Sequence, residues 1–285
     1  MASLKDLRRR IRATKSMQQI FKAMEMVAAA KLRRAQQRAI ASSPYAAKIT
    51  AMLESLAGAA SELDHPLFKE RLVKCGALVV ITADRGFAGA YNTNILRAAE
   101  QRLRAVPPGT LQLVVVGRKG RDYFRRRGYP ILVAHADLPG EASLAFARAL
   151  TDDLTARFIA GEIDRVEVMY SHFVNALVRR VRTEVFLPAG AGGTATAGKD
   201  RGMIFEPDAE RIFAEILPRY ATAKLYAALA DALASEHSAR MVAMGSARKN
   251  AGELVDSLTL TRNRLRQAAI TREIAELVGG AEALK

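Results

Sequence analysis

Ala77-Leu-Val-Val-Ile81 runs straight into Thr82-Ala-Asp84-Arg-Gly-Phe-Ala-Gly89-Ala-Tyr-Asn92. The first part is a short apolar run of branched residues, long enough for a buried strand and too short for a helix. The second is a Gly-rich turn, and a helical pattern follows from Asn92 to Arg104. Strand, Gly-rich turn and helix in that order open a doubly wound α/β unit. The same alternation continues downstream. Leu111-Gln-Leu-Val-Val-Val116 and Ile131-Leu-Val133 read as strands, with helical patterns over Arg118 to Arg127 and Glu141 to Ile159. Such alternation predicts a mostly parallel, Rossmann-like sheet covered by helices. Val166 to Tyr170 and Val178 to Phe186 follow across a short turn and read as a hairpin at a sheet edge. Residues 188–202 have the composition of a flexible loop, and Met203 to Phe205 read as one more short strand.

Outward from this domain both chain ends turn helical. In residues 4–56, Leu4, Leu7, Ile11, Thr14, Phe21, Met24, Ala28 and Leu32 step by threes and fours, with one slip, onto one face. Ser3 with Asp6 forms a weak capping box, and Pro44 after two serines predicts a kink or break. From Asp208 to Val278 the helical pattern returns. Some 70 residues would make a helix of about 105 Å. Pro218 is placed to kink it, Leu254, Leu258, Thr261, Leu265 and Ala268 read as a coiled-coil seam, and Gly279-Gly280 reads as its stop. A helix that long cannot bury its stripe on a small domain alone. The expected architecture is therefore an α/β domain, residues 75–206, carrying an antiparallel coiled coil of helices 1–56 and 208–285.

The composition narrows the function. The 285 residues carry a formal net charge of +15, which predicts acidic partners without choosing among them. The single cysteine, Cys75, excludes an internal disulfide and a Cys-based metal cluster and fits a reducing compartment. No apolar run approaches the roughly 18–20 residues of a membrane span. The Arg-rich, acid-poor start has the look of a transit peptide, but its apolar stripe continues unbroken into the following helix. Eleven Lys and Arg stand against Asp6 and Glu25 in the first 38 residues, more than solubility requires, so this helix reads as a docking surface.

Candidate chemistry is thin. Gly193-Thr-Ala-Thr-Ala-Gly198-Lys199-Asp200 matches a phosphate-binding loop except at its last residue, where the Mg²⁺-ligating hydroxyl is replaced by Asp200. It also lacks the strand before and the helix after, so it reads as a solvated loop. The Asp84–Asn92 turn stands where doubly wound folds bind phosphates, yet the dinucleotide fingerprint is incomplete, and Gly86 and Gly89 read as packing glycines. His65, His135, His172 and His237 show no metal-ligand spacing, and His237 beside Glu236 reads as a polar-face residue. A basic coiled coil that binds nucleic acid and a nucleotide-using enzyme on the central domain stay open as alternatives. The first lacks stacking aromatics and any nucleic-acid module signature.

Several stretches together resemble the gamma subunits of F-type ATP synthases. They are Met1-Ala-Ser-Leu-Lys-Asp-Leu-Arg-Arg-Arg-Ile11, Lys22-Ala-Met-Glu-Met-Val-Ala-Ala-Ala-Lys-Leu32, the turn Asp84 to Asn92, and Gly117-Arg-Lys-Gly120. Near the end, Ala234 to Met244, Asn250-Ala-Gly-Glu-Leu254 and Arg266-Gln-Ala-Ala-Ile-Thr271 continue the likeness, which spans residues 1 to 284 in order. The match at Met1 argues against a transit peptide. The resemblance implies a rotor shaft with no catalytic site and no cofactor. Its partners would be the alpha and beta subunits of the catalytic hexamer, the epsilon subunit and the c-ring, on the cytoplasmic face of a bacterial inner membrane, with no nucleic acid. It places Lys22, Met24, Arg266 and Gln267 against beta, and Arg8, Arg9, Thr271, Ile274 and Leu277 within the alpha–beta ring. Asp84, Arg85, Tyr91 and Asn92 would lie on the epsilon or c-ring side. Departures from the family pattern are Gly245 inside a helix, Phe87-Ala88 for the commoner Leu-Cys, and Arg262 and Leu265 in the seam. The regulatory cysteine pair of chloroplast forms is absent.

Overall fold

The computed structural model describes residues 3–59, 66–68, 70–137, 140–189 and 209–282. In chain order the elements are α1 (Leu4–Ala59), β1 (Gly76–Ile81), α2 (Tyr91–Arg104), β2 (Leu111–Val116), α3 (Arg118–Arg126), β3 (Ile131–His135), α4 (Leu144–Ile159), β4 (Arg165–Phe173), β5 (Arg179–Leu187) and α5 (Ala209–Glu282). The chain divides into two compact units, Ala29–Arg240 and Met1–Ala28 with Met241–Lys285. That division cuts through both long helices rather than falling at their ends.

Within Ala29–Arg240, a five-stranded sheet has the order β3-β2-β1-β4-β5. β1 pairs in parallel with β2 and β4, β2 pairs in parallel with β3, and β5 closes the edge antiparallel to β4. The sequence explains the order. β1 is buried at every position, as a central parallel strand covered on both faces must be. β3 alternates half-buried and exposed residues, the mark of an edge strand. Successive β1 side chains point to opposite faces. Val79 and Ile81 pack with Leu150, Leu154 and Phe158 of α4 and Leu217, Leu225 and Leu229 of α5. Leu78 and Val80 pack with Ile95 and Leu96 of α2 and Phe124 of α3. At the hairpin, Asn175 Oδ1 accepts the main-chain N–H groups of Leu177 and Val178, both at 2.9 Å, which fixes the tight connection between β4 and β5.

Within the other unit, α1 and α5 run antiparallel. Gln18 lies against Gly252, while Glu25, seven residues on, lies against Gly245, seven residues back; Arg248 Nε donates to Glu25 Oε2 at 2.8 Å. The expected α1 stripe is the buried one, with Leu7 at 3 % and Ile11 at 7 % exposure and Thr14, Phe21 and Met24 half-buried. Gln18 fills the slip in that stripe. Gly245, unusual for a helix interior, leaves room for the Glu25 carboxylate, whose Oε1 lies 3.1 Å from where a Cβ would stand.

Three expectations are corrected. α1 is one helix through Pro44, so the proline does not break it, and α5 likewise runs on past Pro218. A proline removes only a single N–H from the helix ladder, which is too little to end a helix this long. α5 also passes Gly279-Gly280 and reaches Glu282, because glycine within a helix costs only about 1 kcal/mol. The seam of α5 is displaced: Leu254 is half-exposed and Thr261 and Ala268 exposed, while Ala251 and Val255 are buried and Leu258, Arg262 and Leu265 half-buried. The expected strand at Met203–Phe205 and most of the 188–202 loop, including the phosphate-loop-like run, lie outside the described residues.

Ser235 of α5 is fully buried and its hydroxyl finds no partner among the described residues. An unpaired buried hydroxyl costs about 1–3 kcal/mol and alanine is the better helix former. Ser235→Ala is expected to stabilise the full chain by about 1 kcal/mol in urea titration; a drop in the midpoint would mean that the hydroxyl is bonded.

Candidate functional site

The turn after β1 is built from its own side chains. Thr82 Oγ1 donates to Val116 O (3.0 Å) and accepts Gly120 N–H (2.9 Å). Asp84 Oδ1 accepts the N–H groups of Arg118 (2.7 Å) and Asp137 (3.2 Å). Its carboxylate therefore occupies the N-terminus of α3, where unpaired N–H groups and the helix dipole favour an anion. That end of α3 is filled here by the chain itself. Asn92 Oδ1 accepts Ala83 N–H at 3.0 Å, and Tyr91, 5 % exposed, donates its hydroxyl to Ala232 O at 3.2 Å. Tyr91 and Asn92 thus spend their polar groups inside the domain, whereas Arg85 is exposed. Phe87 has a φ of 61°, the left-handed region that non-glycine residues seldom adopt, and it turns the chain so that Gly86 O meets Arg240. Arg240 Nε and Nη2 both lie 3.3 Å from that oxygen, and Nη2 lies 2.7 Å from Glu236 Oε1.

A cavity of about 220 Å³ lies beside this turn, lined among others by Lys31, Asp84, Arg85, Glu141, Glu236 and His237. Burial pushes the Glu236 carboxyl up, and the Arg240 guanidinium opposes that rise. His237 is 4 % exposed, not on a polar face as expected; burial, with Arg240 and Lys31 nearby, brings its pKa down to about 4, so the ring is neutral at pH 7. Positive and negative groups both line the cavity: Lys31, Arg85 and Arg240 against Asp84, Glu141 and Glu236. Among the described residues no three His, Cys, Asp or Glu side chains could hold a metal ion. No described helix is long and apolar enough to cross a membrane.

Sequence reasoning missed a second set of polar contacts, between α5 and the β4–β5 edge. Asp231 Oδ1 accepts Phe173 N–H at 2.7 Å and its Oδ2 meets His172 Nδ1. Lys224 Nζ donates to Val185 O at 2.8 Å. Ser238 Oγ donates to Ala176 O at 2.7 Å and accepts from Arg179 Nη1 at 3.1 Å. The available signal was Asp231 itself, a lone acid within Ala227-Ala-Leu-Ala-Asp-Ala-Leu-Ala234.

The helix pair of Met1–Ala28 and Met241–Lys285 presents the opposite kind of surface. Arg8, Arg9, Lys22, Arg266, Gln267 and Thr271 are exposed, and Met24 is half-buried in the seam. Large apolar side chains are exposed beside them: Met26 at 64 %, Ile274 at 56 % and Leu277 at 74 %. Apolar and basic side chains so displayed mark surfaces that meet partners.

A family model described as ATP synthase matches residues 3–284. The chain is 48 % identical over 285 residues to the ATP synthase gamma chain of Desulforamulus reducens, covering all of both chains. The chain belongs to the ATP synthase gamma family. It is likewise 46 % identical over 286 residues to the gamma chain of Moorella thermoacetica, again covering all of both. A chain of the Tetrahymena thermophila mitochondrial ATP synthase, solved as central stalk and c-ring, superposes with a TM-score of 0.64 at 26 % identity, over 80 % of this chain and 99 % of that one. A chain of the Euglena gracilis mitochondrial ATP synthase, solved with OSCP, F1 and c-ring, gives 0.71 at 21 % identity over 99 % and 94 %, and at that identity shows the fold alone. A gamma chain is a stalk subunit, and this one is a rotor shaft of an F-type ATP synthase.

Proposed function

We propose that this gamma chain is non-catalytic and couples ion flow through a c-ring to the conformational cycle of catalytic beta subunits. The observation that carries the reading is the helix pair's uncovered basic and apolar surface. The partners are the alpha and beta subunits of the hexamer, the epsilon subunit and the c-ring, at the cytoplasmic face of a bacterial inner membrane. The working parts are helix 1–56, domain 75–206 and helix 208–285. Lys22, Met24, Arg266 and Gln267 meet beta; Arg8, Arg9, Thr271, Ile274 and Leu277 run within the alpha–beta ring. Arg85 is the exposed member of the epsilon or c-ring side, while Asp84, Tyr91 and Asn92 hold the turn that presents it. A helix pair whose faces differ offers each beta subunit different contacts as it turns, and only such differential contact can drive a change of state.

Arg266→Ala in the assembled enzyme is expected to lower proton-driven ATP synthesis by about fivefold or more, the scale of a lost coupling contact, while the alpha–beta ring still assembles. Wild-type coupled rates would remove Arg266 from the mechanism.

A further inference from the structure

Alanine makes up much of the buried surface of α5 in the α/β domain: Ala221, Ala228, Ala230, Ala232, Ala234 and Ala239 are all buried, beside the larger Leu217, Leu225 and Leu229. Apolar burial has no direction. The apolar contacts of α5 supply cohesion, and the polar contacts add bonds of fixed direction that resist turning about the helix axis. Lys224, Asp231 and Ser238 recur every seventh residue, and residues seven apart lie within about 20° of one another around a helix. This row bonds in turn to β5 at Val185 O, to the end of β4 at Phe173 N–H and to the hairpin at Ala176 O. Glu236 and Arg240, four apart, form another row, and Arg240 grips Gly86 O. At about 100° per residue the two rows face different sides of the helix. From Lys224 to Arg240 they span about 24 Å.

We infer that Lys224–Arg240 is the joint through which torque passes between the α/β domain and the shaft helix, with Lys224, Asp231 and Ser238 as positioning residues that key α5 against axial rotation. The inference rests on the rotor reading. Each of these bonds ties a side chain of α5 to the main chain of the sheet domain, so the key does not depend on flexible surface side chains. The joint loses strength as its bonds are removed, although the apolar core stays.

The test uses the complete ATP synthase in liposomes, comparing ATP hydrolysis with ATP-driven proton pumping. Ser238→Ala with Lys224→Met removes two of the three bonds from this row to the main chain and leaves the core packing; Asp231→Ala removes the third, and Asp231→Asn keeps an acceptor for Phe173 N–H. The joint predicts near-normal assembly and hydrolysis with pumping per ATP reduced about fivefold or more in the triple variant, partly restored by Asp231→Asn in place of Asp231→Ala. Unchanged pumping per ATP in an assembled triple variant overturns the joint. So does a proportional fall in assembly, hydrolysis and pumping in the double variant, which marks a merely structural role. A wild-type chain that never joins the enzyme defeats the rotor reading instead.

Discussion

Gly117→Ala is expected to destabilise the full chain by about 4 kcal/mol or more, enough to leave the α/β domain unfolded in a marginally stable protein. Gly117 has φ 104° and ψ 140°, a conformation that side chains rarely adopt. It lies where β2 turns into α3, and its N–H donates to His135 O at 2.7 Å. A Cβ there would stand 2.2 Å from Thr82 O and 2.6 Å from Thr82 Oγ1. The first of these is main chain at the residue that follows β1, itself bonded to Val116 O through its N–H, so relief requires moving the end of that strand. Gly128 provides the control: its φ is 73°, but nothing lies within 4 Å of an added Cβ. Gly128→Ala should therefore cost only the conformational part, about 1 kcal/mol. Urea unfolding of both variants reads the difference, and equal midpoints would contradict the close packing of α3 on the end of β1.

Removing Arg102 is expected to have the next largest effect. Glu167 on β4 has a side chain only 5 % exposed, and it accepts from Arg102 Nε and Nη2, both at 2.8 Å, and from Arg165 Nε at 3.0 Å. Arg102→Met leaves that carboxylate buried with one cation, a loss of about 3 kcal/mol. Adding Glu167→Gln should recover part of it, because the uncompensated charge is then gone. The Arg102 hydrogen bonds hold the Glu167 carboxyl below its usual range. The folded chain thus binds that proton more weakly than the unfolded chain does. The stabilisation is complete above the ordinary Glu pKa of about 4.3 and is lost as pH falls through the lowered folded value. The stability gap between wild type and Arg102→Met should narrow below about pH 4. A gap independent of pH would contradict the charge pairing.

The elements of the fold could be read from the chain to within a few residues, because each strand is a short branched run bounded by turn residues and α1 keeps one stripe. The strand order could not. Val166 to Tyr170 is apolar enough to sit beside β1 or β3, and only the folded sheet places it at β1. The α5 seam was misplaced for a related reason. From Ala228 to Ala239 almost every residue is buried, so no stripe survives there to carry the helical phase forward, and Leu254 outweighed the smaller Val255. His237 was misread because a histidine beside a glutamate looks solvated, whereas the cavity encloses both. The Asp84 cap on α3 is a tertiary fact: Asp84 and Arg118 are 34 residues apart, and nothing local announces their bond. The contact residues of the helix pair were legible only through family likeness, since their exposure is what a solvated helix also shows.

Co-purification tests the central claim most directly. The chain, carrying an affinity tag, is recovered from detergent-solubilised membranes, its companions are identified by mass spectrometry, and ATPase activity is assayed before and after its isolation. Recovery with alpha, beta and epsilon subunits, and ATPase activity that the isolated chain lacks, is the predicted result. A chain recovered alone, with nucleic acid, or with nucleotide hydrolysis of its own would contradict the shaft.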